Sequence, residues 1–416
     1  MEKPKWAQNQ TVVRESDVII IYDLHHPRVA SDFIKELKDG IQKGYDDFEL
    51  EFEKVNSVFP NACVPLAGIL DYYREFEKIS FTCQAPPPNI VLTNLLKAKQ
   101  VKYSANALRR TVLNKVWRFS IDEEIFQLVN AILDELYKSA HFEKGVLDAL
   151  EWSLNEIMDN VLQHSNCDCG YCMGQIHNSS KHVAFTVYDH GRGFLNSLRE
   201  SKYSPRYPID AITLAVREGV TRNKEIGQGN GLYGLHQIVS QNNGILTITS
   251  AGSSCNFSGD DTKTYSRLPF LSKEHGAACI DFQLDYNNPV SISDALSSSG
   301  RSYNVISIKR ESVENEMGDI YYKISNQASG TGTRQSAERL RNDILNLYTE
   351  APKQIIIDFE GITIMSSSFA DELIGKLVIE FGFFEFNRLV RIINMNDTIS
   401  VIAQKSIYQR ITESTK

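Results

Sequence analysis

The chain has 416 residues, a formal charge of −8 and 42% hydrophobic residues, a length that predicts two to three domains with separate cores. The acidic balance argues against a broad nucleic-acid-binding or anionic-membrane surface, and no apolar run approaches the roughly 18–20 residues that span a bilayer. The polar start, Met1 to Gln10, lacks the apolar core of a signal peptide, so a cytoplasmic protein is expected.

In chain order, residues 17–23 (DVIIIYD) read as a buried strand. Residues 29–41 read as a helix with Phe33, Ile34, Leu37 and Ile41 on one side. Residues 48–52 alternate apolar and acidic side chains, as a half-exposed strand does. Pro60-Asn61 precedes a helical stretch to about Tyr73, and residues 78–82 form a further strand. The proline run at 84–89 (QAPPPN) continues neither a helix nor a central strand and ends a first domain, residues 1–88.

Residues 122–139 are strongly amphipathic through Ile125, Leu128, Val129, Ile132, Leu133 and Leu136, and 145–162 repeat the pattern. Strands are expected at 183–188, 244–249 and 278–284. Helices before and between antiparallel strands predict a two-layer α/β domain over residues 105–290. A Ser-rich linker, 289–303, leads into a third domain, 303–416. That domain should have strands at 354–362 and 390–394 and a helix over 368–381. Residues 50–55 (LEFEKV) and 357–362 (IDFEGI) share their pattern, and each precedes a break and a helix, which suggests a diverged repeat at the two ends.

The seven cysteines are an odd number, which argues against a complete disulfide framework. Cys63, Cys83, Cys255 and Cys279 read as small apolar residues. Cys167, Cys169 and Cys172 follow His164 closely enough to suggest zinc. The one-residue gap is tight and no second CxxC pair follows, so a loop that happens to carry thiols is the expected outcome.

Three short segments carry the chemistry. Glu156, Asn160 and His164 are spaced four apart, on one face of a helix. An Asn carbonyl suits Mg²⁺, and a Glu one turn away can orient or deprotonate water or a hydroxyl. An exposed polar stripe explains the spacing equally well. Asp189 ends an apolar strand before His190-Gly191-Arg192-Gly193, where glycines let the backbone approach a flat ligand and the carboxylate can accept from an exocyclic amine. An ordinary turn has the same composition. Gly227, Gly229 and Gly231 feed a helical run, presenting N–H groups to phosphate, with Arg222 or Lys224 able to supply charge. No strand precedes these glycines and no GxxxxGK[ST] occurs, which excludes a Rossmann fingerprint and a P-loop.

In this order and spacing the segments resemble the GHKL (Bergerat-fold) ATPases over residues 105–290: the N box at Glu156 and Asn160, and glycine boxes at Asp189–Gly193 and Gly227–Gly231. The resemblance implies ATP and Mg²⁺ as cofactors. Asn160 would hold the metal, Glu156 would act as general base, Asp189 would read adenine, and residues 206–231 would form a lid. Thr249 or Thr247 would be the later adenine-pocket threonine. The Glu156–His164 form is similar to that of anti-sigma serine kinases and stand-alone ATP-binding proteins. No phospho-acceptor helix is evident, and His141 reads as a surface residue.

The last segment resembles STAS-like domains. Ser367 and Ser368 stand where anti-sigma antagonists carry their phosphorylated serine, but Ser366 and Phe369 replace the flanking Asp and Gly. Helix capping is the simpler role for these serines, and residues 330–334 (GTGTR) likewise read as a turn and cap. The expected architecture is an α/β chain, a central two-layer α/β sandwich with STAS-like α/β domains at both ends. The expected function is an ATP-binding regulator that controls contacts with a protein partner. The alternatives are a serine kinase acting on a STAS-like substrate or on its own Ser367/Ser368, and a scaffold with a degenerate site. A homodimer is compatible with this reading; membrane and nucleic-acid partners are not expected.

Overall fold

Apolar β-branched runs become strands and the amphipathic stretches become helices in the computed structural model. It describes residues 10–53, 55, 57–103, 108, 110–199, 201, 203–217, 220, 231–259, 261–266, 268, 276–296, 313, 315, 318–327, 330–350 and 353–413. The chain is a mixed α/β protein that divides into two units, residues 1–291 and 292–416. Among the described residues, no helix is long and apolar enough to cross a membrane.

The first unit contains two sheets. Strands β1 (Val12–Glu15), β2 (Val18–Ile21), β3 (Asp47–Phe52) and β4 (Ser80–Thr82) lie in sequence order. The β1–β2 pair is antiparallel, and β2, β3 and β4 are parallel. Helices Arg28–Gln42 and Pro60–Glu75 make the crossovers. The second sheet has the order β11-β10-β9-β12-β8-β7-β6-β5. Its strands are β5 (Lys99–Gln100), β6 (Trp117–Phe119), β7 (Gly170–His177), β8 (His182–Asp189), β9 (Ile245–Ser250), β10 (Ser253–Ser258), β11 (Asp261–Ser266) and β12 (Ala278–Asp285). All its pairings are antiparallel except β5–β6.

Strand alternation gives this sheet two unlike faces. Gly170, Asp189, Ala278 and Ser250 are cross-strand partners in one row and point to one face. Helix Val146–His164 packs there, with Val161 against Gly170. Tyr171, Tyr188, Cys279 and Thr249 form the next row and point to the other face. Helix Pro60–Glu75 covers that face and buries apolar side chains almost all round its circumference, among them Cys63, Leu66, Ile69 and Leu70. Leu50 of the first sheet and Tyr171 and Tyr188 of the second therefore share one core with this helix. The proline run at 84–89 separates two sheets but not two cores, because the helix between them is apolar on both sides.

Gly68 is the closest approach in this contact: a Cβ there would lie 2.3 Å from Cε1 of buried Tyr188 and 3.3 Å from Tyr171. Gly68→Val is expected to destabilise this unit by about 1–3 kcal/mol through overpacking. Chemical denaturation followed by tyrosine and tryptophan fluorescence would measure it.

In the second unit, β13 (Ile320–Lys323), β14 (Ile355–Asp358) and β15 (Val390–Ile393) form a parallel sheet in sequence order. Helix Arg334–Glu350 makes the first crossover, and helical segments from Ser367 to Leu389 make the second. Phe359, Phe369, Leu373 and Leu377 lie in its core. The segments paired as a repeat, 50–55 and 357–362, begin on β3 and β14, the middle strand of each parallel set of three.

Candidate functional site

Helix Val146–His164 forms because Leu150, Leu154, Ile157, Met158 and Val161 make one buried stripe. Glu156 and Asn160 are half-buried beside that stripe and meet the start of helix Gly231–Gln241. A Cβ on Gly231 would lie 2.5 Å from Glu156 Oε2 and 3.3 Å from Asn160 Nδ2. The structure therefore joins two of the sequence motifs at one point. Burial, helped by the nearby Asp159 charge, pushes the Glu156 carboxyl up to about 7. A carboxyl near neutrality can take or release a proton at physiological pH.

Nine residues further along this helix, roughly 14 Å by helical rise, the Ser165 carbonyl meets the turn after β8. It accepts a hydrogen bond from the Arg192 N–H at 2.7 Å. A Cβ on Gly191 would lie 2.3 Å from that same oxygen, so only glycine fits. Asp189, 6% exposed, accepts the Gly191 N–H at 2.9 Å, and burial pushes it up to about 7. On the far side of the turn, Gly193 has a φ of +66°. The next N–H, of Phe194, donates to Ser250 Oγ at 3.2 Å, and Ser250 Oγ donates to the Ala277 carbonyl at 2.7 Å. The turn is thus held between the end of a helix and two strands, with a buried carboxylate at its base.

Thr249 is not brought to this group. It pairs with Cys279 on the opposite face from Asp189, where its hydroxyl lies 2.9 Å from Ser254 Oγ. Thr247 alternates onto that same face, bonded by Asn256 at 2.8 Å. Ser250, one residue on, shares the Asp189 face and was not marked by the sequence. Register decides this, since a one-residue shift reverses a strand's faces. Arg222, Lys224, Gly227 and Gly229, with most of the segment between 218 and 230, lie outside the described residues.

The residues present suit a magnesium nucleotide on three grounds. Asn160 offers an amide oxygen of the kind Mg²⁺ accepts. Gly231 leaves space beside Glu156 and Asn160 that a side chain would fill. Asp189 is an acceptor held at fixed orientation in a buried position. The two glycines give separable expectations. Gly231→Ala presses on the side-chain ends of Glu156 and, less closely, Asn160, which can shift, so nucleotide affinity should fall by less than about tenfold while turnover falls about 100-fold. Gly191→Ala presses on backbone and should cost both stability, about 1–3 kcal/mol, and ATP binding. Calorimetry and a phosphate-release assay on the two variants would check this.

In the second unit the helix cap falls one residue earlier than expected. Ser366, not Ser367 or Ser368, accepts the Phe369 N–H at 3.0 Å. Ser368 Oγ is 2.9 Å from Ser366 Oγ, while Ser367 is exposed. Thr333 takes the corresponding role for helix Arg334–Glu350, accepting from the Ser336 N–H at 3.2 Å, as the GTGTR stretch suggests. Inside the unit, the buried Glu372 carboxylate is paired by Arg334 at 3.1 Å, by Lys376 at 2.7 Å and by Arg341.

No curated protein and no solved structure matches this chain. Residues 336–400 match the family model described as STAS-like domain of unknown function (DUF4325), and the C-terminal unit therefore contains a STAS-like domain.

Proposed function

We propose that the chain is an ATP-binding regulator of the GHKL type, with its nucleotide site formed by helix Val146–His164, the Asp189–Gly193 turn and the start of the helix at Gly231. The observation that carries this reading is the meeting of all three motifs along one helix. Gly231 lies against Glu156 and Asn160 near its middle, and Gly191 lies against Ser165 at its end. Order in the sequence alone does not require either contact. The separation suits an extended nucleoside triphosphate, with the base at Asp189 and the phosphates at Gly231.

In this reading Asp189 accepts from the exocyclic amine of adenine, and the Gly191 N–H keeps its carboxylate aimed. Asn160 holds the metal through its amide oxygen. When bound, Mg²⁺ supplies positive charge to the phosphates. Glu156 takes the proton of the attacking water or hydroxyl, and the raised affinity of this carboxyl for protons suits that role.

The regulatory part of the proposal rests on the parallel strand-helix-strand arrangements at both ends. Their middle strands carry the paired 50–55 and 357–362 segments, and the C-terminal one contains the STAS-like match. We read the N-terminal sheet as a second STAS-like element and both as protein-binding modules. A protein-kinase reading is favoured by one observation, the exposed Ser367 beside a cap that does not use it. Incubation with γ-labelled ATP separates the two. Label released as phosphate with bare protein is the expected result; label retained on the chain, and lost in Ser367→Ala, would make the protein a kinase. Mg-ATP should also raise the melting temperature of the first unit, by about 2.7 kcal/mol of stabilisation at 100 times Kd.

A further inference from the structure

On the face of the sheet away from Glu156, a set of soft donors converges. Cys167, Cys169 and His190 each offer a ligand atom within 4.8 Å of the others. In a tetrahedral zinc site with Zn–S near 2.3 Å, donor atoms lie roughly 3.8 Å apart. A shift of up to about 1 Å, within the freedom of these side chains, would close the set around an ion.

The surroundings favour a built site over a chance cluster of thiols. His190 Nδ1 is buried and has no hydrogen-bond partner, an arrangement that costs free energy unless something occupies it. The ring is held by edge-on packing against Tyr72 and Phe76, with centroids 5.8 Å away in each case, and lies 6.2 Å from the Tyr171 ring. The Cys169 sulfur is within reach of the Tyr171 hydroxyl at 3.9 Å, and the nearby Arg118 charge favours its thiolate. Arg118 is itself anchored by Glu75 at 2.5 Å. Cys167 and His190 are partly exposed and Cys169 is buried.

The sequence clustering suggested different partners. His164 stands at the end of its helix, and Cys172 pairs across β7 with Trp117 and Val187, in the row opposite to Tyr171. The fold replaces both with His190, which the sequence places eighteen residues after Cys172.

We propose that Cys167, Cys169 and His190 bind a zinc ion, with the fourth coordination position taken by solvent. Two thiolates balance the charge of the ion, and a neutral imidazole completes the protein donors. Each thiol loses a proton on binding and no redox step is involved. The ion would tie the loop after helix Val146–His164 to the end of β8, beneath helix Pro60–Glu75. The assignment is independent of the nucleotide reading.

The test uses the full-length chain, reduced and stripped of metal, titrated with zinc chloride against a chromophoric zinc chelator. One equivalent should bind per chain. Cys167→Ser and His190→Ala should each weaken binding by more than roughly 100-fold, while Cys83→Ser and His164→Ala should leave it unchanged. Cobalt(II) loaded in place of zinc should show thiolate charge-transfer absorption that falls by about half in Cys167→Ser, one of two thiolates being lost. Circular dichroism of the metal-free variants establishes that each has folded. Absence of a bound equivalent in the unsubstituted chain overturns the proposal, with no variant needed. Full zinc affinity in a folded Cys167→Ser/Cys169→Ser variant overturns it equally, as does loss of binding in a folded His164→Ala.

Discussion

Asp189→Ala should weaken ATP binding by roughly 100-fold, the effect of losing a hydrogen bond to a charged group, about 1.5–3 kcal/mol. The carboxylate is buried at the end of β8 and held by the Gly191 N–H at 2.9 Å. Asp189→Asn should fare nearly as badly, because an amide turned to accept from adenine would present its own donor to the Gly191 N–H. Guanine carries a carbonyl where adenine carries its amine, so GTP should compete poorly with the native chain. Equal loss of ATP and GTP affinity in Asp189→Ala, from similar starting values, would show that the residue does not read the base.

The second large effect is at Glu156, and it is expected to separate binding from turnover. Glu156→Gln should keep ATP affinity within a few-fold and reduce turnover by about 10²–10⁴, the usual contribution of a general base. Turnover by the native chain should rise with pH through about 7, where burial and Asp159 place this carboxyl. The same shift has a consequence for stability, with a definite sign. The folded-state value lies above the ordinary 4.5, so the folded chain holds the proton more tightly than the unfolded one. The stabilisation is complete below 4.5, declines between 4.5 and about 7, and is absent above that. Glu156→Gln should therefore melt higher than the native chain at pH 8, by an amount equivalent to about 1–3 kcal/mol. At pH 5 the difference should shrink to less than about 1 kcal/mol. A melting difference that does not change between the two pH values would contradict the assignment. Gains in stability from removing a buried functional charge are a common form of the trade-off between stability and activity.

The motifs were legible because helix and strand periods place them. Four-residue spacing puts Glu156 and Asn160 on one face of a helix, and an apolar strand ending in Asp189 delivers that carboxylate to the end of an interior strand. Other features depend on pairing, which one strand's sequence does not contain. Thr249 and Ser250 are equally plausible in the sequence, and only the register with Ala278 and Cys279 decides which of them faces Asp189. β7 was not anticipated because Gly170 and Gly174 weaken its strand pattern. The structure shows why they are glycine: a Cβ would lie 2.4 Å from Phe119 Cζ at the first and 2.2 Å from Phe185 Cε1 at the second. The partnership of His190 with Cys167 and Cys169 was hidden for a related reason. Proximity in the chain favours His164 and Cys172, while the pairing of Gly170 with Asp189 brings His190, just after β8, beside Cys169, just before β7.

Domain organisation was less legible at the first boundary than at the second. The Ser-rich linker falls near the division between the two units at residue 291. The proline run at 84–89 looked like a similar boundary, yet helix Pro60–Glu75 buries residues toward both sheets. Its weakly amphipathic sequence, with Cys63, Val64, Leu66, Ala67, Ile69 and Leu70 in close succession, is the pattern of a helix enclosed on more than one side. In the C-terminal unit, the pattern Ile-Asp-Phe-Glu-Gly-Ile located the middle strand, and the STAS-like match covers the helices and strand around it.

Calorimetric titration of the full-length chain with ATP in the presence of Mg²⁺ tests the central claim most directly. The account predicts saturable binding of one nucleotide per chain, dependent on Mg²⁺ and lost in Asp189→Ala. Absence of binding heat at several temperatures, or an unchanged affinity in a folded Asp189→Ala variant, would contradict it.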